Sequence, residues 1–359
     1  MRRVILFLTL AVFSIAQADT VKVGVLLPLS GEYDFVGKAV MDGFQMTLDE
    51  WKGKTKHTYQ VIYEDTIFQP GRTSLAAQKL LNIDKVDIIV TIFGPEAMAT
   101  APLAESKKIP HMAGDWDLLW TQKYKYTFNL SQPCDDYANL ELKMFKRWGC
   151  HRVALIWQNS ADWVYAMPYM TKAFTSDPSI TLVANERFNS PVRDFRTMLA
   201  KINETKPDLI VVDSILPESE IILRQARELG INCIITGYYE DLSEKKLGEG
   251  MSFICFTNPD GEWIGKYRSR YGHDPAYSTN WGYDQMTTII KAFESFEHKP
   301  TGIKVTNSVP KIRPWVGASG LLIPRADRMI DAPLKVVKYH DGKMVADPNF
   351  ADLNKAMGW

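Results

Sequence analysis

The chain has 359 residues, and its 42 lysines and arginines balance 42 aspartates and glutamates, so the formal net charge is zero. No basic run of the kind that binds nucleic acid is present, and this balance argues against a polyanionic partner. A chain of this length can form two lobes of ~100–200 residues, each with its own hydrophobic core.

The N-terminus has the three parts of a secretory signal peptide. Arg2 and Arg3 precede an apolar run from Val4 to Ile15, and the small residues Ala16 and Ala18 follow. We expect residues 1–18 to be removed and the mature protein to be periplasmic. An uncleaved anchor helix is the alternative, but the apolar run is shorter than the ~20 residues that span a bilayer. The residue directly after the predicted cleavage point is Asp19 rather than a cysteine, which argues against a lipid-attached form.

Export would place the four cysteines in a compartment where disulfides form. Cys134 and Cys150 flank a predicted helix of about 14 residues, whose ends would lie ~20 Å apart, too far for one bridge. Cys233 with Cys255 is the pair that we consider. Four buried, unpaired thiols that pack as small apolar residues are the other interpretation, and the one that we favour.

From Val21 onward, short apolar runs rich in β-formers alternate with longer amphipathic stretches, a pattern typical of βαβ units and a parallel sheet. In the first half the pattern predicts strands at 21–27, 59–64, 86–93 and 110–113, with helices at about 37–50, 71–81 and 96–107. It restarts after Asn129 with a helix at about 135–148 and strands at 153–157, 181–188, 209–213, 233–236 and 251–257.

The last hundred residues do not form a third repeat of this pattern. They contain two predicted helices, 261–271 and 277–296, and a terminal hairpin that turns at Asp341-Gly342. We therefore assign residues 19–129 to the first part of lobe 1 and 130–258 to the first part of lobe 2. Residues 259–359 would cross between the lobes and complete both. A chain that crosses more than once forms a hinge with a cleft that can close on a ligand.

Several segments resemble the leucine/isoleucine/valine-binding protein family. The match begins with the run 23–31, VGVLLPLSG, and with Gly37 and Gly43 after it. It continues with Glu64-Asp65-Thr66, with the predicted strand 86–90, VDIIV, and with the predicted helix 221–230, IILRQARELG. The resemblance covers nearly all of the mature chain. It implies a type I periplasmic binding fold, an α/β architecture of two parallel-sheet lobes flanked by helices. Three crossovers are implied, near residues 128–131, 257–259 and 330–333.

The family's ligand-binding residues are poorly preserved here. Members that hold an α-amino acid place serine or threonine hydroxyls after the third and fourth strands of the first lobe. Those positions correspond to Ala97, and to Asp115 and Asp117. The acid that pairs with the ligand's ammonium corresponds to Tyr239, and its aromatic neighbour to Ile215. We therefore expect that free leucine, isoleucine and valine are not the ligand.

Ligands of open α/β sheets bind beyond the carboxyl ends of the strands, so the segments that follow the strands predict the walls of the cleft. Aromatic rings recur there, at Tyr33, Phe35, Trp116, Trp157, Trp163, Tyr238 and Tyr239. Acids recur too, at Glu96, Asp115, Asp117, Asp162 and Asp213. Rings and acids together suit a cation, because an aromatic face attracts an ammonium by about 0.5–2 kcal/mol. Each ring could instead pack beneath a loop. Trp116 is the strongest candidate, since it stands between two acids in a segment without apolar periodicity.

The sequence does not predict catalysis, a metal site or a cofactor. It has no Gly-x-Ser-x-Gly elbow and no Gly-x-x-x-x-Gly-Lys loop, and its six histidines show no metal-ligand spacing. The leading hypothesis is a monomeric receptor that captures a small amino-acid-like, amine or amide solute and delivers it to the membrane permease of an ABC importer. The alternative is a sensor that presents its closed form to a membrane signalling protein. Neighbouring genes would separate the two.

Overall fold

The computed structural model describes residues 19–357 apart from 32, 117–118, 241, 258–260 and 277, and it describes the backbone but not the side chains of residues 161–162. The predicted signal peptide, residues 1–18, lies outside the described residues. Within them, no helix combines the length and the apolar character that crossing a membrane requires.

The first part of the chain builds most of one lobe. Its elements are β1 (Thr20–Leu27), α1 (Asp34–Trp51), β2 (Thr58–Asp65), α2 (Pro70–Lys79), β3 (Ile88–Val90), α3 (Gly94–Lys107), β4 (His111–Ala113), α4 (Leu119–Lys123) and β5 (Thr127–Ser131). In β1, Val21, Val23 and Val25 alternate toward the core and are fully buried, as the two-residue period of a strand requires. Each predicted strand and helix of this part has a counterpart in the structure.

The next part builds most of a second lobe. Its elements are α5 (Cys134–Trp148), β6 (Arg152–Gln158), α6 (Ala161–Ser176), β7 (Thr181–Phe188), α7 (Arg196–Glu204), β8 (Leu209–Asp213), α8 (Glu218–Glu228), β9 (Ile234–Gly237) and β10 (Ser252–Cys255). Helix α5 ends at Gly149, whose φ of 70° gives the left-handed cap that glycine adopts without strain.

The last part returns to both lobes. Its elements are α9 (Glu262–Tyr271), α10 (Thr279–Glu294), α11 (Ile303–Ser308), β11 (Trp315–Val316), β12 (Leu321–Pro324), β13 (Met329–Asp331), β14 (Lys335–His340), β15 (Lys343–Ala346) and α12 (Ala351–Ala356). Strands β14 and β15 form the predicted terminal hairpin. The short strands β11 and β12 were not predicted.

Each lobe is organised around a mostly parallel sheet. In the first lobe the strand order is β11-β12-β13-β5-β4-β3-β1-β2, and only β11 and β12 among the described strands run antiparallel to their neighbours. The second lobe has a parallel sheet of order β7-β6-β8-β9 and a smaller antiparallel sheet of order β10-β14-β15. Helices cover the sheets, so the predicted two-lobed α/β architecture is confirmed.

The chain passes between the lobes at three places. Strand β5 of the first lobe leads into α5 of the second, β10 leads back to α9, and β13 leads forward to β14. Strands β5 and β13 pair in parallel, with Leu130 opposite Ile330. Two of the three passages therefore lie side by side at the base of the cleft.

Helices α1 and α10 approach each other unusually closely. A Cβ atom on Gly43 would lie 2.1 Å from the carbonyl oxygen of Thr279, and one on Gly282 would lie 2.1 Å from that of Val40. Only glycine fits at both positions. This close packing fixes the start of α10, which carries Trp281, against the first lobe.

The four cysteines are not joined by disulfides in the part of the chain that the structure describes. Cys134, Cys150 and Cys255 are buried, and Cys233 is partly buried. Burial raises the pKa of the Cys150 and Cys233 thiols to about 11. These two thiols are therefore protonated at neutral pH and act as apolar packing groups.

Candidate functional site

A cavity lies between the lobes at the carboxyl ends of both parallel sheets. In the first sheet β1 lies between β2 and β3, and in the second β6 lies between β7 and β8. The loops that follow neighbouring strands therefore diverge at these two points, which is where open α/β sheets leave a crevice. The two crevices face each other across the cleft.

The cavity measures about 70 Å³ and is lined mainly by aromatic and aliphatic side chains. Those from the first lobe are Tyr33, Phe35, Val36, Phe68, Ile92, Phe93, Asp115, Trp116 and Trp281, and those from the second are Ser160, Trp163, Ile215 and Tyr238. Among these lining residues, Asp115 is the single carboxylate and none is a lysine, arginine or histidine. The site is therefore suited to a solute with a flat or apolar body.

A continuous series of aromatic contacts crosses the cleft. On the first-lobe side, Phe68 meets Tyr33 at 4.9 Å and Phe93 at 5.2 Å between ring centroids. Phe93 meets Trp281 at 6.3 Å, and Trp281 meets Phe256 of the second lobe at 6.3 Å. These distances lie in the range of favourable edge-to-face contacts. We call this series the aromatic belt.

Trp116 of the first lobe makes further aromatic contacts with the second lobe. Its indole stacks on Tyr137 at 5.4 Å and on Phe256 at 5.6 Å, and it meets Trp163 edge-on at 5.2 Å. A second contact across the cleft joins the Gln158 side-chain amide, as donor, to the Tyr33 hydroxyl at 3.5 Å. The structure thus shows the lobes in contact around the cavity.

Asp115 holds the loop that presents Trp116. Its carboxylate accepts hydrogen bonds from the Trp116 backbone N–H at 2.7 Å and from the indole N–H of Trp120. Its backbone pairs with the Asn129 side chain, which donates to the Asp115 carbonyl at 2.7 Å. With these partners, Asp115 contributes to the site chiefly by fixing the position of Trp116.

Glu96 and Ala97, in the first turn of α3, are buried beside the cavity but do not line it. Glu96 accepts a hydrogen bond from the Thr66 hydroxyl at 2.6 Å. Ala97 packs with Ala101, Ala113 and Trp120. The structure therefore gives both residues packing contacts within the first lobe.

Trp157 and Tyr239 also lie outside the lining of the cavity. The Trp157 indole leans across the edge strand β7, where it donates to the Asn185 side chain at 2.7 Å and lies beneath the Arg187 guanidinium. Tyr239 is fully buried on the opposite face of the second sheet, among Ile156, Phe253 and other core residues. Adjacent residues thus separate, since Tyr238 lines the cavity and Tyr239 does not.

Two further acids were predicted at residues that the structure does not describe in full. Asp117 lies outside the described residues, and the Asp162 side chain does as well. Asp213 is described, and it lies fully buried at the end of β8, two residues before the cavity residue Ile215. Of the predicted site residues, the structure therefore brings Tyr33, Asp115, Trp116, Trp163 and Tyr238 together at the cavity.

Several residues at the site were not predicted. Phe68 belongs to segment 65–68, which follows β2 and was predicted as a wall of the cleft, but it was not selected as a site residue. Phe93 follows β3, so its position was available from the same rule that selected Trp116. Tyr137, Phe256 and Trp281 lie on a helix or near a crossover. Their convergence depends on how the two lobes pack, for which the local sequence holds no signal.

Three helices begin at the cavity. Tyr33, Phe93 and Ser160 are the residues that precede α1, α3 and α6, and all three line it. The N-terminal end of a helix carries a partial positive charge from its unpaired N–H groups. Polar groups of a bound solute would therefore meet backbone donors at the rim, while its body contacts the rings.

Outside the cavity, one group of potential metal ligands occurs among the described residues, at Glu249, His340 and Asp341 on the exposed terminal hairpin. The two imidazole nitrogens face different carboxylates, with Nδ1 3.6 Å from Glu249 and Nε2 3.9 Å from Asp341. This arrangement is that of an exposed imidazole between two surface carboxylates.

Comparison with known proteins agrees with this architecture. The sequence pattern of the periplasmic binding protein family matches residues 20–343. The Leu/Ile/Val-binding protein homolog 6 of Brucella suis is 33% identical over 343 residues, which cover 87% of this chain and 86% of that protein. The chain therefore belongs to the periplasmic binding protein family, whose members are solute-binding proteins rather than enzymes.

Solved structures share the fold. A leucine-binding protein from Thermotoga maritima superposes with a TM-score of 0.79 at 23% identity, covering 91% of this chain and 97% of that one. A Rhodopseudomonas palustris solute-binding protein of an ABC transporter, in complex with 3,4-dihydroxybenzoic acid, gives 0.82 at 21% identity, covering 91% and 96%. Streptococcus pneumoniae LivJ, in complex with isoleucine, gives 0.80 at 20% identity, covering 91% and 98%. These likenesses establish the type I periplasmic binding fold.

Proposed function

We propose that this protein is the periplasmic receptor of an ABC importer and that it captures a small solute with a ring or other apolar body in the cleft between its lobes. The lining of the cavity carries this proposal, because rings of the aromatic belt and Trp116 in the first lobe surround it together with Trp163 and Tyr238 in the second. A solute that contacts both lobes favours the closed form, and that form would dock on the permease.

The amino-acid-like, amine and amide classes remain the candidate solutes, and aromatic acids join them. Two structural relatives, bound to isoleucine and to 3,4-dihydroxybenzoic acid, support a search that includes both amino acids and ring-bearing acids. Trp116, Trp163, Tyr33 and Tyr238 are the side chains that we propose to contact the solute, and Asp115 positions Trp116.

A thermal-shift screen tests the proposal. A solute that binds the folded state stabilises it by about 2.7 kcal/mol at a hundredfold excess over Kd. We expect at least one amine, amino acid, amide or aromatic acid to raise the Tm of the protein. A panel of these four classes that leaves the Tm unchanged would contradict the receptor function.

The importer role needs a separate test, because a sensory receptor would bind its solute equally well. With the permease and ATPase of an importer reconstituted in vesicles, the loaded receptor should stimulate ATP hydrolysis. Stimulation of a membrane signalling receptor instead would favour the sensory function.

A further inference from the structure

Two acids of the second lobe lie buried behind the cavity wall with carboxylate oxygens that have no hydrogen-bond partner among the described residues. Glu141 on α5 is 2% exposed and Asp213 at the end of β8 is 0% exposed. Both carboxylate oxygens of Asp213 and Oε2 of Glu141 lack a partner among the described residues. Because buried polar groups in folded proteins are almost always paired, these three oxygens are candidates for binding a polar group of a ligand.

The charge of Asp213 affects the pKa of Glu141, and no described basic side chain lowers the pKa of either acid. Burial raises the pKa of Asp213 to about 8. Burial, and then the neighbouring Asp213 carboxylate, raise the pKa of Glu141 well above its usual range. Among the described lysines, arginines and histidines, none shifts the pKa of either acid.

A third buried polar group of the second lobe interacts electrostatically with Asp213. The Tyr239 hydroxyl is fully buried and has no hydrogen-bond partner among the described residues. Its pKa is raised by burial and by the Asp213 carboxylate, and the exposed Arg227 opposes this rise. The Tyr239 hydroxyl adds a group that can donate and accept a hydrogen bond to the unpaired buried polar groups of the second lobe.

The acids lie one layer of side chains behind the cavity. Glu141 follows Tyr137 by one helical turn, and residues four apart lie on the same face of a helix. Tyr137 in turn stacks on Trp116, which lines the cavity. Asp213 lies two residues before Ile215, another lining residue. Tyr137 and Ile215 therefore connect the two acids to the wall of the cavity.

We propose that Glu141 and Asp213 form a subsite for a positively charged nitrogen of the solute, so that the ligand carries a protonated amine as well as a ring or apolar body. This inference rests on the proposed receptor function. An alkylammonium group offers three N–H donors, which equals the number of unpaired carboxylate oxygens. With one of the two acids protonated, the ammonium also balances the charge of the other, because a buried carboxylate needs a partner of opposite charge.

Matched pairs of probes test the subsite directly. The pairs are 2-phenylethylamine with 2-phenylethanol and 3-methylbutylamine with 3-methylbutanol, which differ only in the charged nitrogen. We expect calorimetric titration to show at least tenfold tighter binding of one amine than of its alcohol. Equal binding within both pairs would overturn the amine subsite and leave the receptor function standing.

Isosteric variants test whether Asp213 and Glu141 cause the preference for the amine over the alcohol. Asp213→Asn and Glu141→Gln should each reduce the ratio of amine to alcohol affinity to near one while the alcohol still binds. Asp284→Asn is the matched control, because Asp284 is as buried as Asp213 but lies in the first lobe and accepts hydrogen bonds from the backbone of Ala318 and Ser319. A preference that persists in Asp213→Asn and Glu141→Gln, each shown by circular dichroism to be folded, would overturn the assignment.

A fragment probe decides the question if neither member of either pair binds. Methylammonium chloride should raise the Tm of the wild-type protein more than equal concentrations of sodium or potassium chloride, and Asp213→Asn should abolish the difference. If all three salts raise the Tm equally and Asp213→Asn abolishes this rise, the site binds inorganic cations. If all three raise the Tm equally in the variant as well, the effect is one of ionic strength alone. Either result overturns the inference, whereas the receptor function fails only if the wider solute panel leaves the Tm unchanged.

Discussion

The indole of Trp116 in the first lobe stacks on the ring of Tyr137 in the second, with centroids 5.4 Å apart and planes inclined by 26°. The same indole lines the cavity. Under the proposed function, one side chain would take part in both solute binding and the contact between the lobes.

Replacing Trp116 tests this link. In Trp116→Ala we expect solute affinity to fall by about 1–3 kcal/mol, the range for losing an aromatic ring that packs on a buried group. Calorimetry gives the affinity and thermal melting gives the stability. Trp157→Ala is the matched control, because Trp157 stands at a strand end but packs against the edge strand of the second lobe. If Trp116→Ala lowered stability by several kcal/mol with unchanged affinity, the residue would be a packing residue only.

Branched-chain amino acids should bind weakly or not at all. At the start of α3, where related receptors place a hydroxyl, this chain has Ala97, which is fully buried and does not line the cavity. The ligand carboxylate would therefore lose a side-chain hydrogen bond that typically contributes about 0.5–1.5 kcal/mol, or more when one partner is charged. Calorimetry with leucine checks this expectation, and submicromolar affinity would contradict it.

Asp115→Asn should act mainly on the loop that carries Trp116. The substitution weakens the bonds to the Trp116 backbone and the Trp120 indole, and hydrogen bonds to a charged group contribute about 1.5–3 kcal/mol. We expect a loss of stability of this order by denaturant titration. Trp120→Phe, which removes the indole donor, should lower stability as well, and the two effects should be less than additive because they share one bond. Full additivity would show that the bond contributes little.

The buried acid pair predicts a pH dependence of stability. The pKa of Asp213 is about 8 in the folded protein and 3.8 without the fold. The folded state thus binds more protons across this window, so the stability of the solute-free protein should fall as pH rises from about 4 to 8. Among the described residues, Glu141 on α5 and Tyr239 after β9 are the titratable groups whose pKa Asp213 raises.

Denaturant titrations at pH 5 and pH 8 measure this dependence. Asp213→Asn should lose less stability between the two pH values than the wild-type protein does, because its amide does not titrate. The comparison of slopes is the informative quantity, since a buried amide has a packing cost of its own at both pH values. The same slope in both proteins would show that Asp213 does not hold a proton in the folded state.

The residues at the strand ends show what could be predicted from the sequence. The rule that ligands bind beyond the carboxyl ends of strands selected Trp116 and Trp163, and both line the cavity in the structure. The same rule selected Trp157 and Tyr239, which the structure turns toward the edge strand and the core. Whether a ring after a strand faces the cleft depends on the direction of one backbone turn, which the alternation of apolar residues does not encode.

Longer-range features were beyond the sequence for a different reason. Tyr137 fits the buried face of an amphipathic helix, and nothing in its own segment shows that Trp116 of the other lobe covers it. Glu141 lies on the same face of that helix. It was not selected as a site residue, because an acid on a helix is usually solvated. The strands β11 and β12 were missed because two to four residues are too few to show a period of two.

The proposed function requires that one small solute binds between the lobes. Isothermal titration calorimetry of the wild-type protein and of Trp163→Ala tests this requirement most directly, with the most stabilising solute from the thermal-shift screen as the titrant. Trp163 lines the cavity and meets Trp116 across the cleft. We predict one site per wild-type chain and at least tenfold weaker binding in Trp163→Ala, about 1.4 kcal/mol or more. Unchanged affinity in Trp163→Ala, with the variant folded, would contradict the location of the site.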